Sequence, residues 1–65
     1  MSLEEGKMIK EARKRLKYTQ IQFAQFIGIS VDPIHRLENG GEGVSLENLR
    51  KITEAVGMEV VIRLK

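Results

Sequence analysis

Apolar residues recur every three or four positions along most of this sequence, the spacing that places them on one face of an α-helix. The first such segment covers about residues 4–16. Its predicted inner face holds Met8 or Ile9, followed by Ala12 and Leu16. The pattern therefore predicts that the chain begins with an amphipathic helix.

A second predicted helix follows Thr19 and carries signals for both of its ends. Thr19 and Gln22 have the spacing of a capping box, in which each side chain satisfies a free backbone N–H group of the first turn. Gly28 is predicted to end the helix in the left-handed conformation that glycine adopts easily. The apolar face between these ends consists of Phe23, Ala24 and Ile27.

Two more helices are predicted in the second half of the chain. The third is short, covers about residues 31–38, turns Ile34 and Leu37 inward, and stops at the glycines after Asn39. The fourth is capped by Ser45 and covers residues 46–56, with Gly57 after its end. Its predicted inner stripe consists of Leu46, Leu49, Ile52, Thr53 and Val56.

Residues 58–65 instead alternate with a period of two, which is typical of a β-strand. A single strand cannot satisfy its own backbone groups, and the sequence offers no second strand. We therefore predict an antiparallel ribbon between two copies of the chain, which makes a homodimer. The predicted dimerisation residues are Val60, Val61, Ile62 and Leu64. The alternative is a tail packed loosely on the helices.

The length of 65 residues predicts a single domain, 1–65, of the all-α class with one C-terminal strand. The sequence contains no cysteine, so neither a disulfide nor a thiolate metal site is expected. No apolar run is long enough to span a membrane or to act as a signal peptide. These features favour a cytoplasmic protein that has no metal, no cofactor and no contact with a membrane.

The formal net charge is only +2, but the positive charges are concentrated near the start of the chain. Between residues 7 and 17, six basic residues stand against one acid, Glu11. The basic residues are Lys7, Lys10, Arg13, Lys14, Arg15 and Lys17. A local basic block suits a polyanion such as DNA, although a solvated helix face accounts for it equally well.

The most informative stretch covers residues 19–40, where two short helices are joined by a tight turn at Gly28. Ala24 is small where these helices must approach each other, and glycine permits the sharp reversal. Ile34 and Leu37 anchor the second of the two helices, which leaves its outward side for Val31, Asp32, His35 and Arg36. This is the arrangement of a helix-turn-helix motif.

From residue 9 to residue 60 the chain resembles the Cro and phage-repressor family of helix-turn-helix proteins, whose fold is the four-helix lambda-repressor-like domain. The resemblance rests on Arg13, on the Thr19-Gln20 start, on Phe23-Ala24, on the Gly28-Ile29-Ser30 turn, on Ile34, on Leu37-Glu38-Asn39-Gly40, and on the fourth helix. It implies DNA contacts by Thr19, Gln20, Ser30, Val31, Asp32, His35, Arg36 and Asn39. It also implies an ion pair between Arg13 and Glu38, which makes Glu38 structural and not catalytic.

Asp32-Pro33 departs from the family pattern. Proline disfavours helical angles at the residue before it, and Asp followed by Pro suits an N-cap and the first helical position. The third helix therefore starts at Pro33 with Asp32 as its cap, or at Val31 with Ser30 as its cap and Pro33 in the first turn. If Asp32 is not a cap, it could accept a hydrogen bond from cytosine.

Arg36 is the best candidate for a guanine or phosphate contact. His35 is either an exposed helix residue or a DNA contact that gains charge as the pH falls.

The leading hypothesis is a homodimeric repressor of an inverted-repeat operator. The strand also resembles the tail of Cro-like antitoxins, which adds a toxin protein as a candidate partner. The alternative is a protein-interaction module without sequence-specific DNA binding. The sequence does not favour an enzyme, since it has one histidine and no phosphate loop.

Overall fold

The computed structural model of the chain describes residues 3–40 and 43–58. Within these residues every regular element is an α-helix, as the apolar spacing predicts. The helices are α1 (Leu3–Arg15), α2 (Gln20–Ile27), α3 (Asp32–Glu38) and α4 (Leu46–Ala55). None of the described helices is long and apolar enough to cross a membrane.

Helix α1 packs against α3 through a face that differs in part from the predicted one. Ile9 is fully buried, and Gly6 and Arg13 are buried on the same side. Met8 and Leu16 are about half exposed, at 54% and 47%. The prediction of Leu16 as an inner residue was therefore wrong, because Arg13 occupies the inner position in that turn of the helix.

At Gly6 the backbones of α1 and α3 come unusually close together. A Cβ atom placed on Gly6 would overlap the carbonyl oxygen of Leu37 and lie 3.0 Å from that of Glu38. Glycine is needed here because of this close approach and not because of its backbone angles. The N-terminal half of α1 can rest on the end of α3 only because position 6 has no side chain.

Lys17 closes α1 in the left-handed conformation, with φ at 63°. The backbone N–H of Tyr18 donates to the carbonyl of Arg13 and that of Lys17 donates to the carbonyl of Lys14, the pattern of a Schellman motif. Glycine is the usual residue at this position, and because the sequence has a lysine there it does not predict this turn.

Helix α2 begins and ends where the sequence predicts. Thr19 Oγ1 accepts a hydrogen bond from the backbone N–H of Gln22 at 3.1 Å, and Gln22 Oε1 accepts one from the backbone N–H of Thr19 at 3.0 Å. Gly28 is left-handed, with φ at 85°, and its N–H donates to the carbonyl of Ala24. The capping box and the glycine turn are both confirmed.

Helix α3 begins at Asp32, between the two predicted starting points. Val31 already has helical angles and its carbonyl accepts from the N–H of His35 at 3.0 Å, so the first turn closes with Pro33 inside it. Proline loses no hydrogen bond there, because N–H groups in a first turn have no partner within the helix. The cap roles predicted for Asp32 and Ser30 were wrong, since no side chain caps this helix.

Helix α4 starts at the predicted cap, where Ser45 Oγ accepts from the backbone N–H of Asn48 at 3.1 Å. Ile52 and Thr53 are buried, whereas Leu46, predicted to lie inside, is 44% exposed. Leu46 is the first residue of the helix, so it stands at the end of the inner stripe. Beyond α4, Met58 donates its N–H to the carbonyl of Thr53 at 2.8 Å.

The apolar core joins all four helices. Its buried members are Ile9, Phe23, Ala24, Ile34, Leu37 and Ile52. The predicted dimerisation strand, with Val60, Val61, Ile62 and Leu64, lies outside the described residues and stays a prediction.

Candidate nucleic-acid interface

Helix α3 divides its side chains between the core and the solvent. Ile34, Leu37 and Glu38 are buried at 0%, 1% and 5% exposure. The four residues predicted to read DNA are all exposed, and they are Val31, Asp32, His35 and Arg36. The structure therefore brings these four side chains to the outward side of one short helix, as a major-groove reader requires.

A buried ion pair fixes the end of α3 to α1. Arg13 Nε donates to Glu38 Oε2 at 2.7 Å and Arg13 Nη2 donates to Glu38 Oε1 at 3.0 Å, with the side chains only 8% and 2% exposed. Arg13 Nη1 also donates to the carbonyl of Tyr18 at 2.6 Å. The ion pair that the family resemblance implies is present and is bidentate, which is the strong geometry for such a pair.

Gln20 extends this network to α2. Its Nε2 donates to Glu38 Oε1 at 3.2 Å, and the side chain is half-buried. The phosphate contact predicted for Gln20 would therefore be made from a position that Glu38 fixes. Arg13, Gln20 and Glu38 together tie α1, α2 and α3 to one another beside the start of α2.

The remaining predicted contact residues lie at the edges of α2 and α3. Thr19 is exposed and caps α2 with its hydroxyl oxygen. Ser30 is exposed in the turn before α3. Asn39 is exposed after α3, where its Nδ2 donates to the carbonyl of His35 at 2.7 Å. Ser30 and Asn39 therefore flank α3 along the chain, whereas Thr19 stands at the start of α2, and Thr19 and Asn39 also have local structural roles.

The basic block near the start of the chain is also divided between inside and outside. Arg13 is buried and paired, so its charge is not available to a phosphate. Lys14, Arg15 and Lys17 are exposed where α1 runs into the start of α2. These three exposed charges come shortly before α2 along the chain, and the N-terminal end of a helix also favours anions.

Sequence reasoning missed the ion pair between Asp32 and Arg36. Arg36 Nε lies 2.9 Å from Asp32 Oδ2, with the two side chains 51% and 64% exposed. The spacing of four residues was a signal that could have revealed it, because oppositely charged residues at that spacing lie side by side on a helix.

Comparison with known proteins agrees with this arrangement. A family model described as helix-turn-helix matches residues 9–61, which is most of the chain. The chain belongs to the helix-turn-helix family. The matched range contains Val31 and the three predicted readers on α3, as well as the buried ion pair between Arg13 and Glu38. The resemblance to Cro-type and repressor-type proteins is confirmed.

A curated relative of this helix-turn-helix protein is the antitoxin PezA of Streptococcus pneumoniae. The two are 39% identical over 56 residues, which cover 86% of this chain. The chain spans only about a third of the length of that relative, since the match covers 35% of it. The similarity therefore concerns one part of the antitoxin.

The described residues show no arrangement for metal chemistry. In residues 3–40 and 43–58, no three His, Asp or Glu side chains lie together as a metal site would need. The charged groups near α3 are instead arranged in pairs, one buried and one exposed.

Proposed function

We propose that this chain is a sequence-specific, DNA-binding transcriptional regulator, a homodimeric repressor that binds an inverted repeat. The observation that carries the proposal is the division of α3 between a buried side and an outward side that holds the predicted readers. In this proposal α3 enters the major groove, while Thr19, Gln20 and the exposed basic residues contact phosphates. Such a regulator acts where the DNA is, so we expect it in the cytoplasm.

The test is selection of bound duplexes from random DNA, followed by affinity measurements at several salt concentrations. A regulator that makes several phosphate contacts should lose affinity by about 10³-fold or more between 50 and 200 mM salt. The selected sites should contain two half-sites about 34 Å apart, one helical turn, if two copies bind together. Recovery of no preferred sequence would contradict the proposal.

A second candidate function is a protein-interaction module that does not recognise a DNA sequence. The specific observation in its favour is the exposed carboxylate of Asp32, which offsets the charge of Arg36 on the outward side of α3. The low net charge of +2 agrees with it. A module of this kind would show no preferred duplex at any salt concentration, so the same experiment separates the two functions.

The narrower proposal is that the regulator is an antitoxin that also binds a toxin protein. The support is the similarity to the antitoxin PezA, which covers about a third of that protein. The test is to express this chain together with the product of the neighbouring gene. Relief of growth inhibition and co-purification of the two proteins would support an antitoxin role, and growth inhibition that persists would contradict it.

A further inference from the structure

The outward side of α3 carries an ion pair whose closest contact to the arginine is at Nε. Asp32 lies in the first turn of α3 and Arg36 one turn later. The carboxylate faces Nε of the guanidinium, at 2.9 Å from Oδ2. The shortest contact of the pair is therefore at Nε, and the two terminal nitrogens of Arg36, Nη1 and Nη2, stand at the other side of the guanidinium carbon.

Gly43 lies beside Nη1 of the Arg36 guanidinium. A Cβ atom placed on Gly43 would lie 3.1 Å from Arg36 Nη1, so the guanidinium lies against the backbone of the loop after α3. The arginine therefore has Asp32 on its Nε side and Gly43 beside Nη1. Both neighbours reduce the number of directions in which the terminal nitrogens can point.

A guanidinium held by its Nε side presents Nη1 and Nη2 as a two-pronged donor. This donor matches two acceptors on one plane, and on duplex DNA the major-groove edge of guanine offers such a pair in O6 and N7. A phosphate is a poorer match, because the Asp32 carboxylate would stand close to it with the same charge. The pair has no net charge, so it adds little to the electrostatic attraction between the protein and DNA of any sequence.

We propose that Asp32 and Arg36 act as one unit that reads guanine. Arg36 donates to the guanine edge through Nη1 and Nη2, and Asp32 is the residue that determines specificity by holding the guanidinium in that orientation. This inference rests on the proposed DNA-binding function and deepens it by naming the base that is read.

The experiment compares three variants with the unchanged chain on the duplexes recovered by selection. Asp32→Asn removes the carboxylate charge but keeps the shape, and Arg36→Ala removes the reader. The matched control is Glu47→Gln on α4, because Glu47 and Lys51 form an exposed pair with the same spacing, at 3.4 Å. Binding is measured by fluorescence anisotropy at fixed salt on the preferred duplex and on its single base-pair replacements. Circular dichroism checks that each variant is folded.

We expect the unchanged chain to prefer G·C at one position of each half-site by about tenfold or more. Asp32→Asn should reduce this preference to about threefold or less, while affinity for replaced sites stays the same or rises, since a negative charge facing DNA has been removed. Arg36→Ala should abolish the preference at that position and leave the salt dependence unchanged. Glu47→Gln should alter neither quantity.

Three results would overturn the inference while the proposed function stands. One is an undiminished G·C preference in Asp32→Asn. Another is a loss of preference in Glu47→Gln as large as in Asp32→Asn. The third is a fall of about one unit in the salt slope of Arg36→Ala, which would identify a phosphate contact. If the unchanged chain selects no sequence at all, the proposed function fails as well.

Discussion

Glu38 illustrates how much a single residue can determine in so small a protein. Its carboxylate accepts hydrogen bonds from Arg13 and Gln20 and is almost completely buried. A buried carboxylate is tolerated only because these donors compensate for its lost hydration. Glu38 therefore links α1, α2 and α3 through these hydrogen bonds.

We predict that Glu38→Ala destabilises the fold by about 3–5 kcal/mol, because Arg13 would remain buried without its partner. Replacing both residues, as Arg13→Met with Glu38→Leu, should cost less than Glu38→Ala alone. Urea denaturation followed by circular dichroism measures both. If the destabilisation of the double variant equals the sum of those measured for Arg13→Met and Glu38→Leu singly, the ion pair is not the cause.

Lys17 adopts a backbone conformation that lowers the stability of the fold. Its left-handed backbone is unfavourable for a residue with a side chain by about 1–2 kcal/mol, although glycine would lose more conformational freedom on folding. We therefore expect Lys17→Gly to stabilise the protein by about 0.5–1 kcal/mol in urea denaturation. The control is Lys17→Ala, which removes the same charge and keeps the strain. An equal gain in both variants would point to charge instead of backbone strain.

At the scale of elements, the contact between α1 and α3 depends on Gly6. An alanine there would improve the helix propensity of α1 by about 1 kcal/mol. It would also force a methyl group against the carbonyl groups at the end of α3, and overpacking of this kind costs about 1–3 kcal/mol. Because the obstructing atoms are backbone, they cannot move aside easily.

Because the clash is with backbone atoms, the overpacking cost belongs to the upper part of its range, about 2–3 kcal/mol, and the gain in helix propensity offsets about 1 kcal/mol of it. We therefore expect Gly6→Ala to lower the free energy of unfolding by about 1–2 kcal/mol. The matched control is Lys7→Ala on the same helix, at an exposed position where the change should stay within about 0.5 kcal/mol. Thermal and urea unfolding of the two variants measure the effect. A Gly6→Ala protein as stable as the unchanged one would mean that α1 and α3 can separate without loss.

The elements also show what the sequence predicts and what it does not. Thr19, Gly28 and Ser45 are predicted correctly because a helix end depends on residues three or four positions apart. Gly6 escapes prediction because its role comes from a contact with residues that lie 31 and 32 positions further along the chain. The start of α3 is misjudged because the Asp32 carboxylate faces Arg36 and does not cap the backbone.

In the candidate site, too, local features can be predicted from the sequence and long-range contacts cannot. The outward side of α3 can be predicted from the positions of Ile34 and Leu37, since the other residues of a short helix must face away from the core. The hydrogen bond from Gln20 to Glu38 cannot be predicted from residue spacing, because it depends on how α2 and α3 pack against each other. The family resemblance supplies the Arg13 and Glu38 pair, which spacing alone does not.

At the scale of the whole molecule, the proposed homodimer depends on the strand predicted at the C-terminal end of the sequence. We expect deletion of residues 60–65 to give a monomer at micromolar concentration, because it removes the proposed intermolecular strand. Sedimentation velocity measures this directly, and affinity for a two-half-site duplex should fall in parallel. A truncated chain that still sediments as a dimer would assign dimerisation to another surface.

The division of α3 between core and solvent has a consequence for how such a protein can change its target. Ile34, Leu37 and Glu38 hold the helix in place, while the exposed residues of α3 take no part in the apolar core. A regulator built this way can acquire a new operator by replacing its outward side chains, with little loss of folding stability. A library randomised at the exposed positions of α3 should therefore yield folded proteins with altered DNA targets, whereas one randomised at the buried positions should yield mainly unfolded chains.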